Sequence, residues 1–313
     1  MTGPVEKRPA SLTTAWLVLA VAIVAVSMSA LFVRTAQGGA SSLAIAAWRT
    51  LIAAAIVTAW TVPRRRTELA RLSRRDVVAM AVSGVCLAVH FASWIGSLAW
   101  TSVAVSVTLV NTAPLFVATI GPLTTGERPT ARALAGAVIA TAGAAAIGLS
   151  AEAVEGRNDL WGAGLAILGA VSVAGYLLVG RDVRDRMPLD VYVTGVYGVS
   201  AVTLMTAALA MGETMIGFGA TSWAGILGLA IVCQIIGHTA TNFAVRGLST
   251  STVSTVLLAE PVLASAAAFW WLGERVAAAQ LAGAVLVLIG IILAARGERR
   301  VPVAAPTVGG DTA

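Results

Sequence analysis

Charge is what this 313-residue chain has least of: 12% of its residues are Asp, Glu, Lys or Arg, about half of what a soluble globular domain carries. There is a single lysine, Lys7, and only 2 histidines and 2 cysteines. Cys86 and Cys233 both fall in apolar runs, which excludes a disulfide framework and any cysteine-based metal spacing. The H-E-x-x-H and G-x-S-x-G signatures of zinc hydrolases and nucleophile elbows are absent. With Lys7 the only lysine, no G-x-x-x-x-G-K-[ST] phosphate loop exists either, and no polar loop is long enough to house an ATPase. No cofactor and no metal are expected.

What fills the chain is hydrocarbon. Hydrophobic residues make up 58% of it, and the mean hydropathy is +0.87. Stretches long enough to span a bilayer, about 20 residues each, recur at 14–33, 42–62, 77–98, 102–123, 131–150, 160–180, 189–211, 222–244, 250–272 and 276–296. The expected fold class is an all-α integral membrane protein with ten transmembrane helices, and its first partner is the lipid bilayer. The first stretch exceeds the 7–15 apolar residues of a secretory signal, so it is read as an uncleaved helix.

The pI of about 10.3 would suit nucleic acid, but the basic residues obey the positive-inside rule instead. Of 21 Lys and Arg, only Arg34, Arg157 and Arg275 fall in outer loops if the N-terminus is cytoplasmic, and Arg49 lies within a helix. The remaining 17 are cytoplasmic, including the cluster in "PRRRTELARLSRRD" at 63–76. Both termini are therefore expected inside the cell membrane, and these arginines set topology without binding anything specific. No nucleic-acid partner is expected.

The chain repeats itself at an offset of 147. "PLFVATIGPLTTGERPTARALAGAVIATAG" begins at Pro114, and "PVLASAAAFWWLGERVAAAQLAGAVLVLIG" begins at Pro261. Pro114, Gly126, Glu127, Arg128, Gly136 and Gly143 answer Pro261, Gly273, Glu274, Arg275, Gly283 and Gly290. His90 and His238 correspond if one residue is inserted between them. Each half holds five helices, and an odd number makes the second half enter the membrane upside down. Inverted repeats are typical of secondary transporters, whose sites lie near the midplane between the halves. The expected division is a cytoplasmic tail 1–13, a first repeat 14–150, an external linker 151–159, a second repeat 160–296, and a disordered cytoplasmic tail 297–313.

The halves resemble the two EamA repeats of the drug/metabolite transporter superfamily. The residues carrying this are "AAWRTLI", "HFASWIGSLAWTSVAVSVTLVNTAPLF", "GHTATNFAVRGLSTSTVSTVLLAEPV" and the twin "GER" turns, over about residues 14–296. The resemblance implies ten helices with both ends cytoplasmic, and movement of amino acids, amines, nucleotide-type metabolites or drugs, often outward. Small four-helix relatives carry an acid in their first helix. This chain has none there, so that coupling site does not carry over.

The polar residues inside the oily segments are the candidate site. Glu260 lies near mid-membrane in the ninth helix, where a charge costs roughly 2.5–3.5 kcal/mol on insertion scales. It is a proton carrier, a counter-ion for a cationic or amino-acid substrate, or a structural carboxylate. Pro261, and Pro114 at the equivalent place, each remove a backbone hydrogen bond and read as hinges or as ordinary kinks. Arg49 either snorkels to the outer surface or faces a cavity and pairs with a carboxylate. His90 and Trp94 share a helix face, as do His238 and Asn242, and Asn111 precedes Pro114 by one turn. Ser102, Ser106, Thr108, Ser251, Thr252, Ser254 and Thr255 read as close-packing residues or as a polar path. Glu127 and Glu274 read as helix caps. Trp16, Trp60, Trp100, Trp161, Trp223, Trp270 and Trp271 suit the interfacial belt.

The expected function is a multi-pass secondary transporter of a small-molecule substrate (an amino acid, amine or drug-like compound), by alternating access and in the export direction. Protons are the expected coupling ion, and a homodimer is left open. The alternatives are uptake or facilitated exchange by the same fold, or an intramembrane enzyme using His, Glu and Ser.

Overall fold

A segment that stays apolar for twenty residues has only its own backbone to bond with in lipid, so it coils. The computed structural model describes residues 12–101, 103–124, 126, 128–149, 159–184, 186–267 and 278–297. Among them, eight helices are long and apolar enough to cross a membrane, and two shorter apolar helices, Ala131–Ile147 and Thr250–Leu263, accompany them. In chain order the segments are α1 (Leu12–Gln37), α2 (Ser42–Arg64), α3 (Arg74–Trp100), α4 (Val103–Val110 and Ala113–Thr124) and α5 (Ala131–Leu149). The second half supplies α6 (Asp159–Arg184), α7 (Leu189–Ala210), α8 (Ala220–Gly247), α9 (Thr250–Ala267) and α10 (Ala278–Arg296). The linker 151–158, most of both tails, Glu127, Glu274, Ser102, Trp270 and Trp271 lie outside the described residues.

Local chemistry explains where helices start. Ser73 accepts from the Asp76 amide while Asp76 reaches back to the Ser73 amide, a capping box that opens α3 directly after the arginine-rich loop. Ser41 and Ser249 cap α2 and α9 in the same way through their hydroxyls. Large apolar side chains such as Leu17, Val24, Leu134, Val202 and Leu281 face outward. That inverted surface fits a lipid solvent. Trp60, Trp100 and Trp161 are exposed near helix ends, as an interfacial belt requires.

Packing follows the repeat. The helix pairs α3–α6 and α8–α1 are exchanged when the halves are swapped, while α2–α7, α4–α9 and α5–α10 each pair a helix with its own counterpart. At the α5–α10 crossing, a Cβ added to Gly136 would sit 2.5 Å from the Gly290 carbonyl oxygen, and one on Gly290 would sit 2.5 Å from that of Gly136. Gly143 and Gly283 oppose each other with the reciprocal distance of 2.6 Å. Under the offset of 147 the first pair becomes the second. Gly136 faces Gly290 and Gly143 faces Gly283, so the helices run antiparallel and the axis relating them lies across both. This is the geometry of an inverted repeat, held by backbones brought close at small residues.

The halves are also joined by ion pairs at the end of the bundle that carries the arginine-rich loop. Arg65 Nε meets Asp190 at 2.8 Å, and Arg186 lies 3.6 Å from Asp76. Asp190 and Glu68 hold the Arg65 guanidinium protonated beyond its ordinary range. Arg181 departs from a purely topological role. Buried at 5% exposure, it donates to the carbonyls of Val245 and Leu248, where α8 ends and its last acceptors lack partners.

The crossing makes a clear prediction. Gly143→Val should destabilise the protein by about 1–3 kcal/mol, since the added carbons meet backbone. Gly164 in α6 has nothing within 4 Å of an added Cβ, so Gly164→Ala should melt within about 1 kcal/mol of the parent or slightly above it. Thermal unfolding of detergent-purified variants, followed by circular dichroism, checks both.

Candidate functional site

Three interruptions of regular helix converge at the middle of the bundle, beside a break of α1 at Met28. In α4 the helix breaks after Val110 and resumes at Ala113, with the Thr112 amide reaching back three residues to the Leu109 carbonyl. In α9 a 3-10 turn, Leu257–Ala259, stands at the repeat-equivalent place. Pro114 and Pro261 follow these breaks by one or two residues, as expected of a ring that clashes with the carbonyl one turn back. The third interruption has no sequence counterpart: Leu229–His238 of α8 is a ten-residue π-helix. Wide turns of this kind recur at functional sites.

One cavity occupies this region. Its empty space, counting the part open to solvent, comes to about 780 Å³. Arg49, His90, Trp94, Asn111, Pro114, His238 and Glu260 all line it. Seven of the nine residues singled out from the sequence are therefore brought together, from α2, α3, α4, α8 and α9. Asn242 and Pro261 are not on the lining. Asn242 supports it from behind, donating to the Tyr176 hydroxyl and, at 2.8 Å, to the His238 carbonyl. Tyr176 does line the cavity.

Arg49 does not snorkel. It is 1% exposed, its guanidinium carbon sits 3.9 Å over the Phe91 ring centre, and its Nε donates to Gln234 Oε1 at 3.1 Å. The π-helix carries Gln234, whose backbone carbonyl in turn accepts from the Tyr197 hydroxyl at 3.1 Å. Gln234 and Phe91 were both missed from the sequence. Gln234 did leave a signal, a lone amide in the apolar run "LAIVCQIIGH", but nothing in that run announces its partner.

The imidazoles form an aromatic wall. His90 stacks on Trp94 with ring centres 6.2 Å apart and planes 4° apart, as their shared helix face implied. The His238 ring stands perpendicular to Phe91 at 5.1 Å, and 6.4 Å from His90. His90 Nδ1 lies 2.9 Å from the Gly169 carbonyl. A carbonyl only accepts, so Nδ1 carries the proton and a neutral ring keeps Nε2 as an acceptor.

The cavity's unsatisfied atoms have one character. Among the described residues, Arg49 Nη1 and Nη2, Trp94 Nε1 and Asn111 Nδ2 are buried without a hydrogen-bond partner. All are nitrogen donors. Glu260 supplies the opposite sign on the same lining, and among the described residues it forms no ion pair. A buried polar atom left unpaired costs about 1–3 kcal/mol, so four donors at one cavity suit oxygen acceptors, water included. Ser254 and Thr241 add hydroxyls to the lining, whereas Ser106 is turned away into a 2.5 Å bond with Ser97.

Comparison with known proteins agrees with this architecture. The model of the EamA-like transporter family matches residues 13–149 and again 160–296, so the chain belongs to that family. It is a multi-pass membrane transporter. A protein of Archaeoglobus fulgidus described as an uncharacterized transporter is 24% identical over 283 residues, covering 88% of this chain and 96% of its own. A probable terminal-alkyne amino-acid exporter of Streptantibioticus cattleyicolor is 28% identical over 198 residues, 61% of this chain and 65% of its own. A crystal structure superposes with a TM-score of 0.75 at 20% identity, over 90% of this chain and 96% of that one. At that identity the likeness concerns the fold alone.

The unpaired donors give a stability prediction. Trp48 Nε1 donates to the Met215 carbonyl at 2.7 Å, whereas Trp94 Nε1 has no partner among the described residues. Trp48→Phe should therefore cost about 1 kcal/mol more than Trp94→Phe. Paired melting curves of the two variants measure the difference.

Proposed function

We propose that this member of the EamA-like transporter family is a secondary transporter of the cytoplasmic membrane. It exports a small metabolite, an amino acid or amine, by alternating access. The observation that carries this reading is the charged cavity between the halves, flanked by helix breaks at repeat-equivalent positions in α4 and α9. A bundle of two inverted units can rock about such a midplane site and open it to either face in turn. The breaks before Pro114 and Pro261 are the hinges, where the freed backbone groups meet the cavity and not lipid.

Export is favoured by the relative named as a probable amino-acid exporter. The arginine distribution favours an orientation with both termini in the cytoplasm, and the segments 1–13, 151–159 and 297–313 then lie outside the two repeats as tails and linker. Glu260 is the coupling group. Among the described residues it is the one carboxylate on the cavity lining, and the matching position in the first half is Ala113. A proton bound there in one orientation and released in the other ties substrate movement to the proton gradient.

Proteoliposomes loaded with radiolabelled amino acids and amines, with and without a pH gradient, test this reading. Gradient-dependent flux of at least one compound is expected. Glu260→Gln should abolish uphill movement and leave exchange measurable, because glutamine carries no transferable proton. Wild-type rates of driven transport in that variant would remove Glu260 from the coupling step, and absence of flux for every compound would overturn the transporter mechanism proposed here.

A further inference from the structure

Arg49 divides its five N–H groups unevenly. Its Nε is occupied by Gln234 Oε1 at 3.1 Å, and its face is covered by Phe91 at 3.9 Å. Both terminal nitrogens, with four N–H groups between them, are buried without a partner among the described residues, on a side chain that lines the cavity. A guanidinium offers two forked edges, and each fits a planar pair of oxygens. Gln234 closes the edge that includes Nε and leaves the end-on Nη1–Nη2 edge as the one available fork.

We propose that Arg49 is a carboxylate dock: the substrate's free carboxylate binds end-on to Nη1 and Nη2, and Gln234 is the positioning residue that selects this edge. The amide is oriented by necessity, since Nε only donates and Oε1 is the acceptor of the pair. Asn111 Nδ2 and Trp94 Nε1, also unpaired on the same lining, are further donors for the oxygens. A phosphate is disfavoured by the balance of charge. Among the described residues Arg49 is the one arginine on the lining, and Glu260 shares the cavity, so a dianion would meet a single cation and, whenever Glu260 has released its proton, a repulsion in a weakly screening medium. A monoanion or a zwitterion suits a site with one guanidinium and one carboxyl group that exchanges its proton.

The proposal deepens the transport reading, on which the word substrate rests, but the dock is measurable by binding alone. Purified full-length protein in detergent is titrated with L-leucine and L-propargylglycine, each beside its methyl ester, with melting temperature and tryptophan fluorescence as readouts. The free acids are expected to bind at least about tenfold more tightly than the esters, because the fork loses its second oxygen acceptor and its charge partner. Arg49→Lys keeps the charge and loses the fork, so the acid-over-ester preference should fall to about threefold or less. Gln234→Leu retains Arg49 and releases its Nε, and should weaken acid binding while leaving ester binding unchanged. That selective loss separates positioning from a general loss of fold. It also keeps the test decisive if Arg49→Lys does not fold.

Equal binding of acid and ester by the parent protein overturns the dock, as does the absence of any response to either acid at about 10 mM, a concentration that reveals millimolar sites. An unchanged preference in Gln234→Leu removes Gln234 from positioning. Preserved acid preference without flux in proteoliposomes would count against the transport mechanism and leave the dock standing.

Discussion

A helix inside hydrocarbon must satisfy its own backbone, so it can be interrupted only where protein or a cavity receives the freed groups. The architecture of this chain depends on that constraint. The breaks in α4 and α9 and the π-helix of α8 all border the same central space. A further break in α1 at Met28 lies between Val26 and Ser29, which also line that space, while α5 and α10 are regular helices joined by glycines that let backbones approach. The α5–α10 crossing is closely packed through its glycines, and the breaks of α4 and α9 and the π-helix of α8 lie at the cavity.

The scaffold is duplicated but its charges are not. The glycine contacts obey the internal two-fold axis pair for pair, and so do the breaks in α4 and α9, but not the π-helix of α8. Glu260 has Ala113 as its counterpart. Arg49 is fixed by groups from both halves: Phe91 in α3 of the first, and Gln234 in α8 of the second. A symmetric shell thus holds an asymmetric site, with a cation supplied by one half and a carboxylate by the other.

Much of the site was legible because intramembrane polarity is expensive. A chain with so few charged side chains leaves those that remain conspicuous, and Glu260, Arg49, the two histidines and Asn111 stood out on that ground alone. Periodicity placed His90 with Trp94, and the rings stack. Periodicity did not settle which way Arg49 points, because a long side chain near a helix end can reach water or protein with equal ease. Nor did it distinguish Arg181 from its neighbours in the basic loops, since its buried carbonyl partners belong to a helix some sixty residues away.

By itself the sequence determined the number and order of the apolar segments, the duplication, the asymmetry of basic loops, and the short roster of polar residues that had to find company. Those follow from hydropathy and spacing, which are properties of the chain read in one dimension. Only the tertiary structure decided how each helix is rotated about its axis and which neighbour it meets. That rotation turned Asn242 away from the cavity and Tyr176 toward it, and it set Phe91 beneath the guanidinium. The π-helix decided the rest: it carries Gln234 to Arg49, occupies one edge of the guanidinium, and leaves the other buried without a hydrogen-bond partner among the described residues.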